Sequence, residues 1–200
     1  MTWVKVCGLT RESDVAAAVE AGADALGFVL AESSVRRVSP EQARDLMESV
    51  PTLRILVTVD ASPSEMVAMV EATGADGVQP HGRQAAEAAR AASRAGLFVL
   101  RPVRAGEGET SSGVPEGQIP ILDSASGTHH GGTGVPLDWG SLSVPNRPFV
   151  LAGGLTPENI RDAISVVDPW GVDASSGLET KPGIKDPARV AAFVAAAKGL

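Results

Sequence analysis

The chain has 200 residues, 44% hydrophobic and 20% charged, enough apolar material to bury a full core in a single unit. Its net charge of −7 argues against a general nucleic-acid binder and leaves an anionic substrate dependent on local donors. One cysteine excludes an intramolecular disulfide and a multi-thiolate metal site, and no apolar run approaches the roughly 18 residues of a membrane span. The first residues show no basic segment followed by an apolar one, so no signal peptide is expected and the expected setting is the cytoplasm.

In chain order, the first apolar run ends in Cys7-Gly8, and Thr10 is the expected cap of a helix from Arg11. Strands are expected near 3–7, 25–30, 53–59, 76–79, 97–101, 119–123, 148–152 and 171–173. They are short apolar runs without clean alternation, as for strands buried on both faces. Ser39-Pro40-Glu41-Gln42 and Ser62-Pro63-Ser64-Glu65 read as helix starts, with Thr156-Pro157-Glu158 and Asp186-Pro187-Ala188 as partial copies. Gly22, Gly74 and Gly96 mark helix ends, and after the first two the phrase Gly-Ala-Asp recurs at 22–24 and 74–76. The run from Arg104 to Gly113 has no helical period, and the helix after the sixth strand is weak. Eight strands at βα spacing predict one (β/α)8 barrel over residues 1–200 with a degenerate fifth helix; an open doubly wound sheet is the alternative.

Polar groups fall where such a barrel does its chemistry, at the C-terminal ends of strands. Cys7 ends the first strand and Asp123 the sixth. A thiolate can act as a base and a carboxylic acid as a proton donor; the plainer readings are a small core residue and a loop-capping Asp. A helix N-terminus near Cys7 would favour its thiolate. Asp173 could bind substrate or pair with Lys5, which should face inward beside Cys7 and so needs a partner. Gln79 and His81 follow the fourth strand. His129 and His130 lack a convincing metal-ligand set around them and read as part of a loop, with 124–135 a candidate lid. Gly153-Gly154 and Ser175-Ser176-Gly177 follow strands seven and eight, where barrels bind phosphate on backbone N–H groups. Arg36-Arg37, after strand two, could clamp a carboxylate or be solvated charge.

Laid out this way, the chain resembles the phosphoribosylanthranilate isomerases of tryptophan biosynthesis nearly end to end. The resemblance rests on Val4–Thr10, Gly27–Val29 and Ser34–Pro40, Val78–Gly82, Ile121–Ser124, Gly131–Gly134, Leu151–Asn159, Gly171–Gly177 and Pro182–Asp186. It implies an Amadori rearrangement of N-(5-phosphoribosyl)anthranilate, with Asp123 as general acid and Cys7 as general base. It also implies Arg36 on the anthranilate carboxylate, Gln79, His81 and Asp173 lining the site, and phosphate on Gly153, Gly154, Ser175, Ser176 and Gly177. Neither metal nor cofactor nor obligate protein partner is implied. The chain departs from the family pattern at Pro80 for Leu, Val35 for Pro, Arg37 for an aromatic and Asp60 for Asn. Two other readings are a related isomerase that also takes the histidine-pathway ribonucleotide, and a non-catalytic barrel that binds a phosphometabolite. The first is disfavoured by Val59-Asp60-Ala61-Ser62, where a second Gly-Gly turn would be needed.

Overall fold

A computed structural model of the chain describes residues 1–48, 50–104, 113–123 and 139–200. Eight parallel strands close into a barrel in chain order: β1 (Trp3–Cys7), β2 (Ala25–Val29), β3 (Leu53–Val59), β4 (Gly77–His81), β5 (Phe98–Arg104), β6 (Ile119–Asp123), β7 (Val150–Ala152) and β8 (Gly171–Ala174). Closure comes from β1 pairing with β8, with Lys5 opposite Asp173. The open sheet is thereby ruled out. Six α-helices stand outside the barrel among the described residues: α1 (Glu12–Glu20), α2 (Pro40–Met47), α3 (Pro63–Thr73), α4 (Ala85–Arg94), α5 (Ile160–Val167) and α6 (Pro187–Lys198). No α-helix stands in the described parts of the β5–β6 and β6–β7 connections, the second of which includes a 3-10 turn at Trp139–Ser141. All but the two ends of the expected helix-free run from Arg104 to Gly113, the candidate lid, and His129 and His130 lie outside the described residues.

The helix starts show how local sequence builds the layers. Ser39 accepts from Gln42 N (3.1 Å), and Ser62 and Glu65 form a reciprocal capping box. Asp186 accepts from Ala188 N and Arg189 N. Two expected starts are displaced. Thr10 does not cap α1, because its hydroxyl donates to the Gly183 carbonyl (2.6 Å). Thr156-Pro157-Glu158 forms a turn, held by Asn159 Oδ1 accepting from Thr156 N (2.8 Å), and α5 begins only at Ile160. The recurring Gly-Ala-Asp phrase has one structural role in both copies. Asp24 Oδ2 accepts the Val4 N–H (2.8 Å) and Asp76 Oδ2 the Arg54 N–H (3.0 Å), so each aspartate ties its strand to the preceding strand.

Strand alternation sorts the core into two. Val4, Val6, Leu26, Phe28, Leu56 and Val78 face the helices in one apolar layer. Ala25, Ile55, Leu100, Ile121 and Val150 fill the lower barrel interior, where Trp3, Leu53, Phe98 and Ile119 pack against them. Above this packed layer the interior turns polar, with Lys5, Gln79 and Asp173 all buried. The β4–β5 ladder registers only at Gly77–Phe98 and Val78–Val99; beyond it stand Pro80 and Pro102, neither of which has an N–H to give.

Candidate active site

A cavity of about 230 Å³ opens among the C-terminal ends of β4 to β8. Gln79, His81, Asp123, Gly153, Gly154, Asp173, Ser175, Ser176 and Gly177 line it, so residues scattered over a hundred positions converge on one hollow. Cys7 and Arg36 are not part of its wall. Cys7 lies beside it, 8% exposed, packed with Val29, Ala31 and Val57. Arg36 lies over Gly8, whose backbone, at φ +74, leaves no space for a side chain: a Cβ there would stand 2.5 Å from Arg36 Cδ and 2.9 Å from Ser175 Oγ. A larger hollow, about 630 Å³, runs between α1 and α2, but Glu12, Glu20, Asp45 and Glu48 at its edge are the wrong charge for an anionic substrate.

The floor of the cavity is a charged network. Lys5 Nζ donates to Gln79 Oε1 (2.9 Å) and to Asp173 Oδ2 (3.0 Å). Gln79 Nε2 lies 3.1 Å from His81 Nε2. Asp173 Oδ1 is buried without a hydrogen-bond partner, an acceptor left over for a ligand. Burial pushes the Cys7 thiol above its ordinary range; the Lys5 ammonium opposes this, and the Asp173 carboxylate adds to it. α1 begins at Glu12 with Arg11 at its N-cap, one residue from the expected start, and the charge that most favours the Cys7 thiolate is the Lys5 ammonium. Burial and the Lys5 charge hold His81 below its ordinary range, so the imidazole is neutral at pH 7.

Arg36 is already engaged. Its Nε and Nη2 donate to the two oxygens of Glu179, each at 2.7 Å. Glu179 Oε1 also accepts from Lys185 Nζ (2.8 Å), which in turn reaches the Ser175 carbonyl (3.1 Å). Two of its donors are thereby committed, which leaves Nη1 and the remaining Nη2 proton for a further acceptor. Glu179 and Lys185 were not anticipated. They lie on a two-stranded antiparallel ribbon, β9 (Glu179–Lys181) and β10 (Ile184–Lys185), and the turn-forming Pro182-Gly183 between them was the available signal. Arg37 pairs only loosely with exposed Glu32 (3.6 Å).

The turns after β7 and β8 form one wall. Gly153 and Gly154 both have positive φ (92° and 65°), which only glycine adopts without strain. A Cβ on Gly177 would collide with the Leu155 carbonyl, so the two turns pack backbone to backbone. Arg189 on α6 ties them further, donating to the Gly177 carbonyl (2.9 Å) and to both oxygens of Glu158. Asp60, at φ 55, occupies a left-handed position that Asn and Asp both tolerate, and its Oδ1 accepts the Arg83 N–H (2.7 Å). Among the described residues no three His, Cys, Asp or Glu side chains converge as a metal-binding group.

The family profile described as N-(5'phosphoribosyl)anthranilate (PRA) isomerase matches residues 4–196. The N-(5'-phosphoribosyl)anthranilate isomerase of Rubrobacter xylanophilus is 42% identical over 99% of this chain and 100% of its own. Among solved structures, the phosphoribosyl anthranilate isomerase of Thermotoga maritima superposes with a TM-score of 0.87 at 36% identity, covering 100% of both chains. A phosphoribosyl anthranilate isomerase solved in complex with reduced 1-(o-carboxyphenylamino)-1-deoxyribulose 5-phosphate superposes with a TM-score of 0.81 at 33% identity, also over 100% of both chains. With the closed barrel and the cavity at its C-terminal end, these matches decide the assignment: the chain belongs to the N-(5'-phosphoribosyl)anthranilate isomerase family.

Proposed function

We propose that Cys7 and Asp123 are the base and acid with which this chain carries out the isomerisation of tryptophan biosynthesis. The observation that carries the reading is the cavity itself, which brings Asp123 and the Gly153-Gly154 and Ser175–Gly177 turns into one lining, with Cys7 alongside. Asp123 gives its proton to the ribose ring oxygen as the C1–O bond breaks, and the anthranilate nitrogen lone pair forms the C1=N bond of a protonated Schiff base. The Cys7 thiolate removes the C2 proton. The C–H electrons form C1=C2 and the C=N electrons return to nitrogen, giving an enolamine. Loss of the enol proton and protonation at C1 give the ketone product. The iminium is the electron sink, so the chemistry calls for no cofactor.

Phosphate is placed on the backbone of Gly153, Gly154, Ser175, Ser176 and Gly177, the position barrels favour for it. Arg36 meets the anthranilate carboxylate with the N–H groups that Glu179 leaves, while Gln79, His81 and Asp173 hold the sugar; Asp173 Oδ1, buried and unpartnered, suits a hydroxyl donor. All these residues come from one chain, so the reading requires no partner protein, and a cytoplasmic setting suits an enzyme of amino-acid biosynthesis. The test is substitution. Cys7→Ala and Asp123→Asn should each lower kcat by about 10²-fold or more with substrate binding retained. Turnover within a few-fold of wild type in either variant would remove that residue from the mechanism.

A further inference from the structure

A fully buried lysine inside a barrel needs a reason, and Lys5 is 0% exposed. Its ammonium has three N–H donors and no acceptor. One goes to Asp173 Oδ2 and one to Gln79 Oε1. The Cys7 sulfur and Lys5 Cε both close on Gly27, where a Cβ would stand 2.7 Å from Sγ and 3.1 Å from Cε. The side chain at 27 must therefore be absent for the lysine and the thiol to share this space.

The second contact has a consequence two residues along. An ammonium can only donate, so the Gln79 oxygen must face Lys5 and its NH₂ must face His81. An NH₂ can only donate, so His81 Nε2 must accept and carry no proton. The neutral ring then has its proton on Nδ1. A charge on β1 thus fixes the tautomer of an imidazole on β4, across the barrel.

We propose that Lys5 is a positioning residue of the isomerisation. It orients Gln79 and fixes His81 as the Nδ1–H tautomer, so that His81 offers the cavity a hydrogen-bond donor, and it stands beside Cys7 as the counter-charge of the thiolate. The second role rests on Cys7 being the base; the first does not. Other charges facing Cys7 are Asp173 from β8, Lys185 from β10 and Arg36 from the loop after β2. Those facing His81 are Lys5, Asp123, Asp173 and Arg101.

The reacting enzyme holds one proton over the acid–base pair, with Asp123 protonated and Cys7 ionised. Removing the Lys5 charge raises the Cys7 thiol further and makes that proton distribution rarer by the same factor. The Lys5→Met variant should therefore show the alkaline limb of kcat/KM moved to higher pH and its plateau lowered in step, about tenfold for each pH unit of movement. In ¹⁵N-histidine spectra, with His81 identified by the loss of its signals in His81→Asn, the wild type should carry the proton on Nδ1 with Nε2 bare. Lys5→Met should populate the other tautomer. Gln79→Glu, which replaces the donor facing His81 by an acceptor, should place a proton on Nε2, and it serves if Lys5→Met does not fold. A lowered plateau with an unmoved limb, or an Nε2–H tautomer in the wild type, would overturn the proposal. Full activity of Cys7→Ala would instead sink the acid–base reading and leave the His81 spectrum as predicted.

Discussion

Cys7 is the most constrained group in the site. Its thiol is buried and therefore harder to ionise than a free cysteine, while lysines at 5 and 185 pull the other way. The pair Cys7–Asp123 reacts when it holds a single proton, so kcat/KM should fall at alkaline pH once the thiol ionises and no proton is left for the ring oxygen. Because burial raises the thiol, this limb should lie above the ordinary cysteine value of about 8.5. A pH profile of kcat/KM measures it, and a limb well below that value would show that the thiol is activated rather than suppressed in the free enzyme. The position of Cys7 at a strand end was legible in the sequence. The Lys5 side chain beside it was legible too; the packing of Val29, Ala31 and Val57 around the thiol was not, because those residues reach it only once the strands pair.

The ribbon β9–β10 and helix α6 hold the two ligand-facing sides of the site. Glu179 is nearly buried between Arg36 and Lys185, and Lys185 has no exposure at all. Glu179→Gln leaves that lysine without a counter-charge and should cost about 3 kcal/mol in denaturant unfolding, with a raised KM as Arg36 loses its support. Unchanged stability would mean that the ribbon contributes no electrostatic anchor. The Arg189–Glu158 pair is more exposed and weaker. The Arg189 guanidinium holds Glu158 down to about 2, below the unfolded carboxylate value of about 4.3. Its stabilisation is therefore complete above about pH 4.5 and lost as pH falls toward 2, and solvent screening keeps it under about 1 kcal/mol. Glu158→Gln should flatten the pH dependence of stability in that window; an unchanged slope would show the pair to be ineffective. Capping signals at Ser39, Ser62 and Asp186 were readable because they are local. The ribbon was missed because two or three residues per strand give no period to read; Thr10 was misassigned because its hydroxyl found a partner in the distant Gly183 turn, and Thr156 because Asn159 turns back onto its N–H and delays the helix to Ile160.

The barrel has two ends with different duties. At the N-terminal end Trp3 stacks on Trp170 (ring centroids 5.1 Å apart) and tilts against Phe98 (6.1 Å), closing the floor. At the other end stand all the proposed site residues. Trp3→Ala should therefore lower stability by about 3 kcal/mol while kcat and KM of the folded enzyme stay near wild type, which thermal unfolding and steady-state kinetics together will show. A loss of activity equal to that of a site variant would mean that the two ends are coupled. The barrel order was legible because eight apolar strand runs recur at βα spacing; the division of its interior into an apolar floor and a charged upper layer was only hinted at by Lys5. The acid–base pair is tested most directly by turnover of freshly made phosphoribosylanthranilate by the wild type, Cys7→Ala and Asp123→Asn, followed by loss of anthranilate-type fluorescence. Wild-type turnover should be fast and should collapse in both variants while each remains folded and binds substrate; a folded wild type without turnover, or either variant close to wild type, would remove the pair from the mechanism.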